Sequence, residues 1–247
     1  VVGGSITSSG TWPNWAPYLI LTDTTIAAGN TLTIEPGSQV MFGGNYELVV
    51  GGALKAEGTP TSPITFTSNQ TSPTPGYWKR IYFSSPNASS NLTYCDLSYG
   101  GSSNGILQLA SAANKVAIAN CTIRSSGTAG IYLYNSSPTI TSCNISNNTG
   151  DGIYLSWSSP VITDCTMNAN GGRGIYSTGS DSIPTLTNVS VTNGSSYALR
   201  LSAQALVQAS GITVSGNSPN QIEVVGGTIS SSGTWPNWAP YLIPVSY

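Results

Sequence analysis

Between Cys121 and Val191 the apolar and polar residues alternate in runs of three or four, too short for helices, and the runs return every 22 to 24 residues. Gly130-Ile131-Tyr132-Leu133 comes back as Gly152-Ile153-Tyr154-Leu155 and again as Gly174-Ile175-Tyr176-Ser177. Ile118 to Ile123 comes back as Ile140 to Ile145, Ile162 to Met167 and Leu186 to Val191. A two-residue alternation sends Ile131 and Leu133 to one side of a strand and Tyr132 to the other. Asn120, Ser142, Asp164 and Asn188 share one bend, where short polar side chains tolerate left-handed backbone. A period of this size, with three such runs per period, predicts a stacked solenoid that winds as three strands per coil.

These motifs resemble the right-handed parallel β-helix repeat proteins, a secreted and surface family that includes pectate-lyase-like enzymes and many non-catalytic members. Ile26 to Gly37, Gly52 to Gly58 and Pro63 to Ser68 look like that family's usual opening. The resemblance implies an all-β, right-handed parallel β-helix of about ten coils of 22 to 26 residues, a single domain over 1–247. One coil is longer: Val49 to Tyr82 spans 33 residues and contains the polar, proline-rich stretch 68–77, a predicted lateral loop. Aligning the coils gives an outward column on the first strand of Val49, Tyr82, Gln108, Tyr132, Tyr154, Tyr176, Arg200 and Glu223.

The ends carry the most unusual signal. Residues 1–20 return as 224–243 at an offset of 223, and only Ser5/Thr228 and Thr7/Ser230 differ. The internal coils agree far less with one another, so equivalent structures are expected at the two ends. The edges of a solenoid expose unpaired backbone groups, and the sequence shows no helical or charged cap. Head-to-tail stacking would satisfy those edges and, being heterologous, would make an open filament. The candidate contact residues are Val1, Val2, Ile6, Trp12 and Trp15 at one end, and Val224, Val225, Ile229, Trp235 and Trp238 at the other.

Composition narrows the partners. Charged residues make up 6% of the chain and the net charge is −2, so there is no basic stripe for a nucleic acid. No apolar run approaches the ~18 residues that cross a bilayer, so no membrane span is expected. The Ser, Thr, Asn and Gly content, with many Tyr and Trp, points outside the cell or to its surface. Cys95, Cys121, Cys143 and Cys165 occupy one slot in four successive coils. They read either as a buried ladder of small hydrophobes or as Cys95–Cys121 and Cys143–Cys165 bridges. With no histidine and no converging ligands, neither metal nor cofactor is expected.

A β-helix hydrolase or lyase needs carboxylates gathered on one face, and here they are dispersed. Asp151 stacks by the 22-residue period against Arg173 as a surface ion pair, while Lys79-Arg80 has no acidic cluster in register. Catalysis is therefore not expected. Two readings remain in front of a lyase or hydrolase. The first is a structural protein that stacks with itself into a filament, sheath or surface array. The second is a carbohydrate-binding module whose platform is Tyr82, Tyr132, Tyr154 and Tyr176, with Trp78 as a wall. Nine Asn-X-Ser/Thr sequons occur, of which Asn69, Asn87, Asn91 and Asn193 are the candidate N-glycan sites.

Overall fold

The computed structural model describes residues 1–244. The chain winds as a parallel β-solenoid with three faces per coil and one continuous apolar core running up its axis. On the first face the register runs Thr25, Val49, Tyr82, Gln108, Tyr132, Tyr154, Tyr176, Arg200, Glu223 from coil to coil, the column expected from the sequence. Its inward neighbours, Ile131, Leu133, Ile153 and Leu155 among them, are fully buried. The second face is an eight-stranded sheet. The first and third faces join as one sheet because Tyr18–Ile26 bends through the corner between them, its start pairing with Gln39–Phe42 and its end with Glu47–Val50.

Most corners are turned by a left-handed residue, and each of the three has its own inner ladder. Between the second and third faces the left-handed residues are Tyr94, Asn120, Ser142, Asp164 and Asn188, with φ of 48 to 54°. The cysteines form the ladder there: the Cys95 and Cys143 backbone N–H groups donate to Cys121 Sγ and Cys165 Sγ, each at 3.4 Å. All four are buried free thiols. The Cys121 hydrogen bond and burial push Cys143 up to about 12, and Cys165 is raised by Cys143 and by burial. Since the thiolate is the reactive form, the native chain should not react with a thiol reagent near about pH 8. Unfolding in denaturant should release all four groups.

Serines make the ladder between the first and second faces. Backbone N–H groups of Ala112, Ser136 and Ser158 donate to Ser136, Ser158 and Ser182 Oγ at 3.0 to 3.1 Å. Asparagines make the ladder between the third and first faces. Ser126 N–H donates to Asn148 Oδ1 at 2.9 Å, and Asn148 N–H and Nδ2 both donate to Asn170 Oδ1 at 3.1 and 2.9 Å. Corner backbone is buried and cannot reach water, so these side chains supply the partners that strands supply elsewhere.

Two features depart from the strand pattern. Ala203–Gln208 is a short helix, α1, capped by Ser202 Oγ, which accepts from Ala205 N–H at 3.3 Å. The Ala-Gln-Ala-Leu-Val-Gln run has helix-forming residues and no two-residue alternation, so α1 takes the place of a strand on the second face. The second face therefore ends in a helix, where the sequence predicted no helical cap. Residues 225–240 cross over α1, where Trp235 Nε1 donates to Ala203 O at 3.3 Å and Gln204 bonds Ser230 and Ser231.

Candidate functional site: the tyrosine column and the two ends

On the first face Tyr132 and Tyr154 stack with ring centroids 4.8 Å apart and planes 12° from parallel, and Tyr176 meets Tyr154 edge-on at 5.0 Å. Like rings pair because parallel strands place equal positions in register one coil apart. Beside the column, the corner residues Thr128, Thr149, Gly150 and Asp151 form a ledge. Together with Tyr132 and Tyr154 they line an open groove of about 460 Å³. Burial raises the Asp151 carboxyl above its ordinary value. Its Oδ1 accepts the Arg173 backbone N–H at 2.7 Å. The expected Asp151–Arg173 ion pair is thus a backbone contact, because the guanidinium turns away to Glu223 Oε2 at 3.0 Å.

The column ends in a charged cluster. Glu223 also faces Arg200 at 3.5 Å, and Arg200 Nη1 donates to Tyr176 OH at 2.9 Å. At the other end Tyr82 lies under Arg80, 4.4 Å from guanidinium carbon to ring centre. Arg80 and Lys79 both bind Glu47 at 2.7 Å, a partner one coil earlier that the sequence reading missed because it lies across the long loop. Burial opposes ionisation of Glu47, but the Lys79 and Arg80 hydrogen bonds outweigh it and hold the carboxyl below its ordinary value. A depressed carboxylate stabilises the fold above its unfolded pKa and loses that contribution as pH falls through the folded value. Glu47→Gln should therefore lower the melting temperature at neutral pH and flatten its decline below about pH 4.5, read by thermal melts across pH.

Trp78 is not part of this platform. It is 0% exposed, lies on Phe42 at 4.0 Å with the rings parallel, and donates Nε1–H to Ser98 O at 2.9 Å. The long loop folds it into the core, so it cannot meet a ligand from solvent. Of the sequon residues, Asn69, Asn87 and Asn193 are exposed. Asn91 is half-buried on the second face and commits its Nδ2 to Glu57 at 2.8 Å.

The duplicated ends agree locally and differ in their coil setting. In the first copy Trp12 stacks on Tyr18 at 4.7 Å, Tyr18 OH donates to Pro13 O at 2.8 Å, and Trp15 N–H donates to Pro13 O at 2.9 Å. In the second, Trp235 meets Tyr241 at 5.3 Å, Tyr241 OH donates to Pro236 O at 2.6 Å, and Trp238 N–H donates to Pro236 O at 2.9 Å. Gly4 to Ile6 form a strand against Thr24 to Ile26, whereas Gly227 to Ile229 form none.

Exposure follows the same division. Ile20 is 0% exposed under the following coil, while its counterpart Ile243 is 66% exposed and Ile229 is 51% exposed. Val1 and Trp15 are 88% exposed, and Val2, Ile6, Trp12, Val225, Trp235 and Trp238 are half-buried. Val224 is a correction: it pairs with Leu201, points into the core at 3% exposure, and is no contact residue.

Comparison with known proteins agrees with this architecture. Residues 81–234 match the model of the right handed beta helix region, and residues 4–106 match that of the pectate-lyase like beta helix domain. No curated protein matches. Among solved structures, the A-module of the Azotobacter vinelandii mannuronan C-5 epimerase AlgE6 aligns over 99% of this chain and 92% of its own at 9% identity. Its TM-score is 0.26, a likeness too slight to carry an argument about activity. With the three-faced parallel coil, its buried core and the family match over more than half its length, this chain belongs to the right-handed β-helix family.

Proposed function

We propose that this chain is a non-catalytic, extracellular building block whose coils stack end to end, as subunit or repeat unit, in a filament, sheath or cell-surface array. The observation that carries the reading is the second copy of the first coil. It forms the same Trp-Pro-Tyr lock as the first copy yet leaves Ile229 and Ile243 uncovered, where Ile20 is sealed by the next coil. An added coil would bury both isoleucines, each worth roughly 1.5–3 kcal/mol if fully covered. The low charge and high Ser and Thr content support a place outside the cell.

The carboxylates support a non-catalytic role. Glu47, Asp96 and Glu223 are tied to Lys or Arg. Asp151 is the one acid lining the groove, whereas glycoside hydrolysis ordinarily uses two.

Parallel neighbours in adjacent coils lie about 4.8 Å apart, within disulfide reach. The first-face column that starts at Ser5 ends at Glu223 and, one level on, Leu242, so stacking should set Ser5 of one copy against Leu242 of another. The Ser5→Cys, Leu242→Cys chain should therefore form oxidised ladders on a non-reducing gel, with each single variant giving dimers at most. Monomer alone after oxidation would exclude this junction.

A second reading rests on the groove: Tyr132 and Tyr154 present ring faces beside the Asp151 carboxylate, a setting suited to a sugar chain. Soluble glycan binding that disappears in the Tyr132→Ala, Tyr154→Ala double variant would favour it.

A further inference from the structure

A different part of the surface carries an observation that neither reading uses. Ser85, Ser111, Asn135 and Trp157 are the left-handed residues of successive turns at the corner between the first and second faces, with φ of 46 to 53°. Left-handed backbone suits Asn and Gly and is a true outlier for a bulky side chain. Trp157 adopts it at φ 53° and then places its indole in water, 64% exposed. Core packing therefore gives no reason for a tryptophan in this slot. Unlike Tyr94, left-handed at φ 48° but half-buried, Trp157 keeps its strain without a packing return, which makes it a candidate for function.

The turn above Trp157 has room for a ligand. The step from Tyr154 to Tyr176 is 22 residues, but that from Ile162 to Leu186 is 24, so two extra residues fall in the next coil's version of this corner. The lengthened turn, with Thr178, Gly179, Asp181 and Ser182, forms with Trp157 a pocket of about 160 Å³. That is below the roughly 300–1,000 Å³ of sites for larger ligands, and suits a single ring.

Asp181 is exposed, and among the described residues its carboxylate has no hydrogen-bond or ion-pair partner. The other eight acids do: Asp23, Glu35, Glu57 and Asp164 accept from Glu47 N, Asn14 N, Asn91 Nδ2 and Asn188 Nδ2, and the remaining four are described above. Thr178 is also exposed, and Tyr134, 47% exposed, lies one coil below beside Ser156.

We propose that this corner is a saccharide-binding site in which one pyranose ring lies with its apolar face on the Trp157 indole. Asp181 accepts hydrogen bonds from its hydroxyls, and Thr178 adds a hydroxyl contact. An aromatic plane gives the flat C–H face of a sugar its apolar partner. A free carboxylate at the pocket edge supplies a strong acceptor for vicinal hydroxyls. The site lies at a different corner from the groove and does not depend on that reading.

The probes are cellopentaose, chitopentaose, mannopentaose and tri-galacturonate, titrated against the 1–247 chain and followed by tryptophan emission and calorimetry. At least one should bind with a Kd on the order of 1 mM or tighter, since one gripped ring gives modest affinity. Trp157→Asn and Asp181→Asn should each weaken it at least about tenfold. The Tyr132→Ala, Tyr154→Ala double variant should bind as the parent does.

Trp157→Asn should also raise the melting temperature, because Asn fits the left-handed slot that Trp strains. A structural tryptophan would give the reverse. Absence of binding by all four probes up to about 10 mM would overturn the proposal. So would binding that survives Trp157→Asn, or a fall in oligomer size in that variant, which would make this corner a protein contact.

Discussion

Trp78→Ala is expected to lower stability by about 3–5 kcal/mol, the range for deleting a fully buried aromatic side chain. Three contributions add. The indole is 0% exposed, its stack on Phe42 at 4.0 Å is lost, and Ser98 O loses the Nε1–H that it accepts at 2.9 Å. Gly100 packs so closely against the indole that a Cβ there would lie 2.6 Å from it, so the ring fills its slot fully. Trp78→Phe keeps most of the volume and should recover over half of the loss. Urea unfolding followed by far-ultraviolet circular dichroism reads both, and a loss under about 1 kcal/mol for the alanine variant would show that the long loop is not part of the core.

Asn170→Ala is expected to cost roughly 3 kcal/mol or more, though it removes little apolar surface. Asn170 Oδ1 accepts both the backbone N–H and the Nδ2 of Asn148, and its own Nδ2 donates to Ile145 O at 3.0 Å. Truncation removes three hydrogen bonds and strands the buried Asn148 N–H and Ile145 carbonyl, each costing about 1–3 kcal/mol unless water enters, while Asn148 Nδ2 keeps Ile123 O at 3.4 Å. Asn170→Asp tests the direction: the acceptor stays and the donor goes, so the loss should shrink at neutral pH only if the two Asn148 bonds dominate. Equal melting temperatures for the parent and Asn170→Ala would mean that the corner ladder adds nothing to stability.

Most of the coil architecture was legible in the sequence because each coil poses the same problem at the same spacing. Tyr132, Tyr154 and Tyr176 fall into register from the 22-residue period alone, and the left-handed slots of Asn120, Ser142, Asp164 and Asn188 follow from residue type. The signal fails where the period does. Trp78 follows the long loop, where no neighbouring coil gives its direction, so its aromatic character read as a surface wall when the side chain is core. Glu47 escaped notice as the partner of Lys79 and Arg80 for the same reason.

Other losses have other causes. Helix α1 is one turn and a half without a repeat to echo it, and Arg173 reaches Glu223 across two coils, farther than nearest-neighbour alignment looks. At the ends, near-identity predicted local likeness, and the Trp12–Tyr18 and Trp235–Tyr241 locks bear it out. It could not predict that Val224 is core while Val1 is exposed, because burial depends on what stacks above and below.

The claim that the ends stack is tested most directly by negative-stain electron microscopy of the purified 1–247 chain. The first face carries eleven levels, Gly4–Ile6 through Ile222–Val224 and then Tyr241–Leu242, so with one interval at each junction a polymer should repeat after eleven steps of about 4.8 Å, every ~53 Å along its axis. Long filaments with that axial repeat are the expected result. Isolated short rods, unchanged as concentration rises, would contradict it.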